Sequence, residues 1–321
     1  MTRVRVGLAA TAVGLGALGI SACGSSSTTT GSSSTPATPT TAKSASLPGK
    51  GKPTFVMGDK NFPEEYVLGD LYQQALEAQG YTVKLKPNIG STEVTFAALK
   101  SGQIQGYPEY DGTLLASVAN DSTQYPNAPA AYHATVDWAG KHGYEFTNIT
   151  PFTDSDAIAT TAKYAKAHHL ASIGDLKKLG RKVVLAGPPE FSTRTPDGLI
   201  GLHKYYGVYP SFQPSSIGSF YPLLDSGKAD AAVVFTTDPQ LKSGKYAVLQ
   251  DTKAIFGWQN VGVVAKASAM AAEGPAFVTT INKVSALLTQ NAIIQLNAAV
   301  ELDKQNPATV AHAFLAANHL L

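Results

Sequence analysis

The chain has 321 residues, 44% of them hydrophobic and 15% charged, with 25 basic and 23 acidic side chains for a formal net charge of +2. So even a balance, with no basic patch, excludes the electrostatic footprint of a nucleic-acid binder. The only cysteine is Cys23, which excludes a disulfide framework and a thiolate-based metal site.

Arg3 and Arg5 form a basic start, Val6–Gly19 is apolar and rich in small residues, and Ile20-Ser21-Ala22 precedes Cys23. Residues 1–22 therefore read as a secretory signal. Small residues directly before a cysteine resemble the lipobox of bacterial lipoproteins, which implies a diacylglycerol on Cys23 and cleavage before it. A doubly acylated cysteine is a durable membrane anchor; the alternative is an unmodified thiol beside an ordinary signal. Without Arg3 and Arg5 the chain holds 23 basic and 23 acidic residues and is formally neutral. From Gly24 to about Lys50 it is Ser, Thr, Pro, Ala and Gly, too poor in large apolar residues to offset the entropy of ordering, so 23–52 reads as a flexible linker. The remaining residues, about 270, show apolar periodicity sufficient for two lobes and no second run long enough to span a bilayer.

Pro53–Gly58 reads as a strand, followed by a helix with Val67, Leu68, Leu71, Leu76 and Ala78 on its buried face and Gly80 ending it. Tyr81–Leu85 alternates like a strand. Gly90-Ser91-Thr92-Glu93 opens a second helix that stops at Ser101-Gly102, and Gln103–Tyr107 is predicted as a third strand before a helix from Thr113 to Val118. The β-α-β-α-β order predicts a parallel sheet with Asp59–Phe62, Gly90–Glu93 and Tyr110–Thr113 at one edge, where α/β sheets place their ligand crevice. A helix-like stretch, Ala130–His142, leads to Asp154-Ser155-Asp156, where the chain is expected to enter a second lobe. There the pattern predicts a helix at Ser172–Leu179, a strand at Lys182–Ala186, a helix at Pro196–Tyr205 and a strand near Phe212. A helix at Phe220–Ser226 and a strand at Ala229–Phe235 follow. Tyr246–Leu249 and Phe256–Asn260 are expected to carry the chain back. A strand at Val261–Ala265 and helices near Ala276–Thr289, Ile293–Glu301 and Ala308–Ala317 then pack on the first lobe.

No nucleophile is paired with a base, and no Walker A, GxGxxG or GxSxG pattern occurs, so an enzyme has little support in the sequence. His168-His169 reads as a solvated pair rather than a metal site, which wants further ligands; no cofactor and no metal are expected. A binding function fits better. Lys60 and Arg194 suit a carboxylate, Arg194 as a bidentate fork, and the rings of Tyr107-Pro108-Glu109-Tyr110-Asp111-Gly112-Thr113 suit a cation. The alternatives are a surface loop with half-buried tyrosines, an exposed Lys60 at a helix start, and an Arg194 ion pair with Asp197 or Glu190.

Gly58–Phe62 with Glu64 and Leu68-Gly69, Gly90–Glu93, Ala98–Gly102, Tyr107–Thr113, Phe191–Leu202 and Thr237-Asp238, in this order, resemble the substrate-binding proteins of osmoprotectant ABC transporters, the glycine betaine, carnitine and choline binding family. The resemblance spans nearly the whole chain after the linker. It implies an α/β, two-lobed periplasmic-binding-protein fold of type II that closes on a quaternary ammonium compound. It implies delivery to a permease driven by a cytoplasmic ATPase, an extracytoplasmic lipid-anchored location, monomeric action and no catalysis. Lobe I is expected at 53–155 and 260–321, and lobe II at 156–259. By position Lys60, Thr113 and Arg194 would hold a betaine carboxylate and Tyr110 would wall the trimethylammonium. Where the family often has further tyrosines, this chain offers Asp156 and Ile158 in the segment Asp154–Ile158, then Phe235, then Trp258 followed by Gln259 and Asn260; Asp154 and Asp156 could accept from N–H donors. The two aspartates leave open a cationic amino acid or polyamine as ligand. A surface enzyme or adhesin reusing the fold is a third possibility.

Overall fold

The computed structural model describes residues 46–321; the predicted signal 1–22, Cys23 and the linker up to residue 45 lie outside them. The folded body begins before the predicted start at Pro53. Gly49 N donates to Gln79 O at 2.9 Å, and Lys52 Nζ donates to Ala272 O at 2.9 Å, so 46–52 packs on the body rather than belonging to the linker.

The first half runs β1 (Thr54–Gly58), α1 (Pro63–Ala78), β2 (Thr82–Lys86), α2 (Thr92–Ser101), β3 (Gly106–Tyr110), α3 (Ala128–Lys141) and β4 (Tyr144–Phe146). The middle runs β5 (Asp156–Thr161), α4 (Ala162–His168), β6 (Val184–Gly187), β7 (Ser211–Pro214), α5 (Phe220–Asp225), β8 (Ala231–Phe235) and β9 (Tyr246–Leu249). The end runs β10 (Val261–Lys266), α6 (Ala267–Glu273), α7 (Pro275–Leu287), α8 (Gln290–Glu301) and α9 (Pro307–Ala317). These strands form two sheets, ordered β2-β1-β3-β10-β4 and β7-β6-β8-β5-β9. Each has three parallel strands and then an antiparallel one, β10 or β5, which is the strand by which the chain arrives from the other sheet. Phe152–Ser155 and Phe256–Asn260 make the two crossings, tied by a bridge between Thr153 and Asn260.

Helix α1 buries Val67, Leu68, Leu71, Tyr72 and Leu76 against the first sheet and against α7, α8 and α9, which pack there as expected from the sequence. The second sheet has its own core around Ile158, Leu185, Phe191, Leu202 and Val233. Each lobe therefore holds together by its own apolar burial.

The third strand lies three residues later than predicted. Residues 103 and 104 turn before the strand; Gln105 N donates to Val56 O at 2.7 Å, and the Gln105 side chain, in place of a backbone acceptor, accepts from Val56 N at 2.6 Å. All five residues of β3 are buried, so both tyrosines lie inside the strand and not past its end. Pro108 fits because of strand alternation. Asp111 N donates to Asn260 O, so the odd residues face β10, and Pro108 turns its missing N–H toward β1, which pairs with β3 only at Met57–Gly106.

Other predicted elements are adjusted. Ile173–Lys178 is a 3-10 helix, Leu199–Gly201 leads into a π-type turn over Leu202–Tyr206, and Leu114–Val118 is likewise π-type after a single turn at Asp111–Thr113. Tyr246–Leu249 does not carry the chain back. It is the edge strand of the second sheet beside β5, so Phe256–Asn260 alone makes the return.

Candidate functional site

The ends of β1, β3 and β8, the start of α2 and the Arg194 loop face one another across the cleft between the sheets. The loop after β1 brings Lys60 inside, where it is 3% exposed and not the solvated lysine the sequence also allowed. Its Nζ lies 2.5 Å from Glu109 Oε1, 3.3 Å from Thr92 Oγ1 and 3.8 Å from Glu65 Oε1. It also sits 4.3 Å from the centre of the Tyr110 ring. The Tyr110 hydroxyl donates to Glu64 Oε1 at 2.7 Å, and Glu64 further accepts from Thr237 Oγ1 and Asn297 Nδ2, both at 2.7 Å.

Three rings line the cleft. Phe62 stacks 6.1 Å from Tyr110 on its own lobe and 5.4 Å from Phe235 on the other, at interplanar angles of 29° and 19°. Carbon surfaces touch at about 3.5–4 Å, so no group fits between rings this close. The closed cleft therefore leaves room for a cation beside the rings and not between them.

Arg194 is the charged link between lobes. Its Nε and Nη2 donate to the two oxygens of Glu93 at 3.0 and 3.3 Å, rather than pairing with Asp197 or Glu190. Burial raises Glu93, but the Arg194 hydrogen bond and charge, helped by the Ser91 hydroxyl, outweigh it and bring its pKa down to about 2. Arg194 itself is held above its ordinary value, burial notwithstanding, by the same carboxylate.

Asp154 and Asp156 come from the crossing and the first residue of β5, the latter opposite Phe235. Desolvation, then the charges of Glu64 and Asp238, hold Asp154 well above its ordinary value. Desolvation raises Asp156 to about 7. Carboxylates outnumber cations here, which favours a positively charged guest.

Lys60, Tyr110, Thr113, Asp154, Asp156, Arg194, Phe235 and Gln259 line this one cleft. Thr113 is not a free donor. Its N and Oγ1 both donate to Gln259 Oε1, at 2.8 and 2.9 Å, so the pair ties the β3 end to the crossing segment. Trp258 and Asn260 do not reach the cleft. Trp258 is 38% exposed on the opposite side and donates to Tyr125 O at 3.1 Å. Asn260 is buried as a brace, donating from Nδ2 to Thr150 O and Phe152 O at 3.0 and 2.8 Å. Phe62, Thr92 and Glu64 were not singled out from the sequence as site residues. Phe62 sits two residues after Lys60 in the loop that follows β1, and that position was its signal.

Two α/β lobes, joined by two crossing segments and closed over a charged, ring-lined cleft, define a solute-binding protein of the type II periplasmic class. Residues 53–317 match the family described as the substrate binding domain of ABC-type glycine betaine transport systems, and the chain belongs to it. It is 30% identical to a glycine-betaine-binding protein of Pseudomonas aeruginosa over 280 residues, 84% of this chain and 89% of that one. It is 25% identical to a carnitine transport binding protein of Listeria monocytogenes over 289 residues, 86% of this chain and 91% of that one. A solved structure titled a glycine betaine/carnitine/choline ABC transporter superposes with a TM-score of 0.65 at 25% identity, covering 83% of this chain and 99% of the other. The chain is thus the solute-binding component of an ABC transport system, which implies a small-molecule ligand and a permease partner.

Proposed function

We propose that this protein binds glycine betaine or a related quaternary-amine osmoprotectant outside the cytoplasm, tethered by a lipid on Cys23, and hands it to its permease as a monomer. It does no covalent chemistry and binds no nucleic acid. Residues 53–155 with 260–321 and residues 156–259 move as two bodies about the crossing segments.

The observation that carries this reading is the set of rings shared between lobes, Phe62 and Tyr110 facing Phe235, above the buried carboxylates Glu64 and Asp154. A trimethylammonium has no N–H to offer and is held by ring faces and nearby negative charge, at about 2 kcal/mol per desolvated contact. The ligand carboxylate meets Arg194, whose Nη1 is the edge not engaged by Glu93, with Lys60 behind it. Because Phe62, Tyr110 and Lys60 come from one lobe and Phe235 and Arg194 from the other, the ligand touches both sets only when the cleft is closed, and that differential contact drives closure. The relatives named for glycine betaine and carnitine favour the same ligand class.

The test is a calorimetric panel of glycine betaine, carnitine, choline and arginine on the full chain in detergent. Saturable binding of a trimethylammonium compound, with arginine silent, is the expected result. Binding of arginine alone would overturn the assignment and give the pocket to Asp154 and Asp156.

A further inference from the structure

Past Phe62 and Phe235 the interlobe cleft continues into a second chamber of about 310 Å³, within the size range of small-molecule sites. Asp154 lies on the wall it shares with the first chamber, beside Phe62 and Phe235, and Glu64, Asp238 and Glu301 line the second chamber alone. Among the described residues none of these four carboxylates has a basic side chain within 4 Å, and Lys304 stands exposed at the rim. No group of side chains suited to a metal ion occurs among the described residues either.

Two amides add a separate signal. Asn297, 1% exposed, donates from Nδ2 to Glu64 at 2.7 Å, and its buried Oδ1 finds no hydrogen-bond partner among the described residues. Gln240 does the same across the lobes, with Nε2 on Glu301 at 2.8 Å and a buried Oε1 left over. Each amide spends its donor on a carboxylate and keeps an unmet acceptor, an arrangement that asks for N–H groups. A quaternary ammonium has none; a protonated primary amine has three.

We propose that this chamber is a second cation subsite that takes a protonated primary amine, held by Glu301 and Asp238 and by the amide oxygens of Asn297 and Gln240. The proposal rests on the reading of the cleft as the solute site. Desolvation, with Glu301 nearby, raises Asp238 to about 7, and burial holds Glu301 above its ordinary value, a cost that an entering ammonium reverses. The amine is either a separate small molecule or the far end of a ligand whose near end lies against Phe62 and Phe235.

Titrating the full chain with 1,4-diaminobutane tests it, beside glycine betaine on the same preparation. Wild type is expected to bind the diamine, Glu301→Gln about tenfold more weakly and Gln240→Leu several-fold more weakly. Equal affinity in wild type and both variants overturns the subsite, as does silence of the wild type toward the diamine while glycine betaine binds. Glutamate-dependent diamine binding without betaine binding would keep the subsite and overturn the osmoprotectant reading. With betaine at saturation, continued Glu301-dependent binding makes the amine a separate guest, and loss of binding makes it the far end of one ligand.

Discussion

In the proposed site recognition turns on Phe62 and Arg194, one through its ring and the other through its fork. Arg194→Ala removes both the Glu93 link and the donor for a ligand carboxylate. A charge-assisted contact is worth about 1.5–3 kcal/mol, so glycine betaine affinity should fall by roughly 10- to 150-fold. Choline, with no carboxylate, should lose less; equal losses for the two would remove Arg194 from the carboxylate role. The place of Lys60, Tyr110, Arg194 and Phe235 in the cleft was readable because each is a chemically distinct residue at a strand end or in a matched motif. Trp258 and Asn260 were misplaced for a simple reason. The crossing is extended, neighbouring side chains face opposite ways, and Gln259 takes the inward side. Glu64 stayed hidden, since a carboxylate in the first turn of α1 reads as an ordinary helix-start charge until the fold sets Tyr110, Thr237 and Asn297 around it.

The elements β3 and the return crossing are locked together more tightly than their sequences suggest. A Cβ at Gly112 would lie 2.1 Å from Trp258 O, a backbone atom that cannot yield without moving the crossing. Gly112→Ala is therefore expected to cost about 2–4 kcal/mol in urea unfolding. A loss under 0.5 kcal/mol would mean that the crossing adapts freely. Period and turn signals exposed the α/β alternation of both lobes, because helices α1, α2, α8 and α9 carry one apolar face each. They misplaced β3, where a side chain substitutes for a ladder bond, and Tyr246–Leu249, whose sheet membership is decided by β5 from far along the chain.

For the whole molecule, burial leaves a pH signature. Asp59, Asp111, Asp156 and Asp238 are each raised by desolvation from an ordinary 3.8 to about 7. The folded state then binds more protons than the unfolded chain between those values, so stability falls as pH rises through that window. Glu93, lowered to about 2 through Arg194, acts oppositely: its contribution is present above its ordinary 4.5 and lost as pH falls toward 2. Scanning calorimetry should find a higher Tm near pH 5 than at pH 8, and a Tm that rises from 5 to 8 would show these aspartates ionised at no cost.

Recognition across the lobes is measured most directly by titrating wild type and Phe235→Ala with glycine betaine side by side. Phe235 lies on the second lobe, 5.4 Å from Phe62 on the first, so it reports on the closed cleft alone. One-to-one binding by wild type, weakened about 30-fold in the variant, is the predicted result, as one desolvated cation–π contact of about 2 kcal/mol requires. Equal affinities, or no binding by wild type, would contradict a site closed around a quaternary amine.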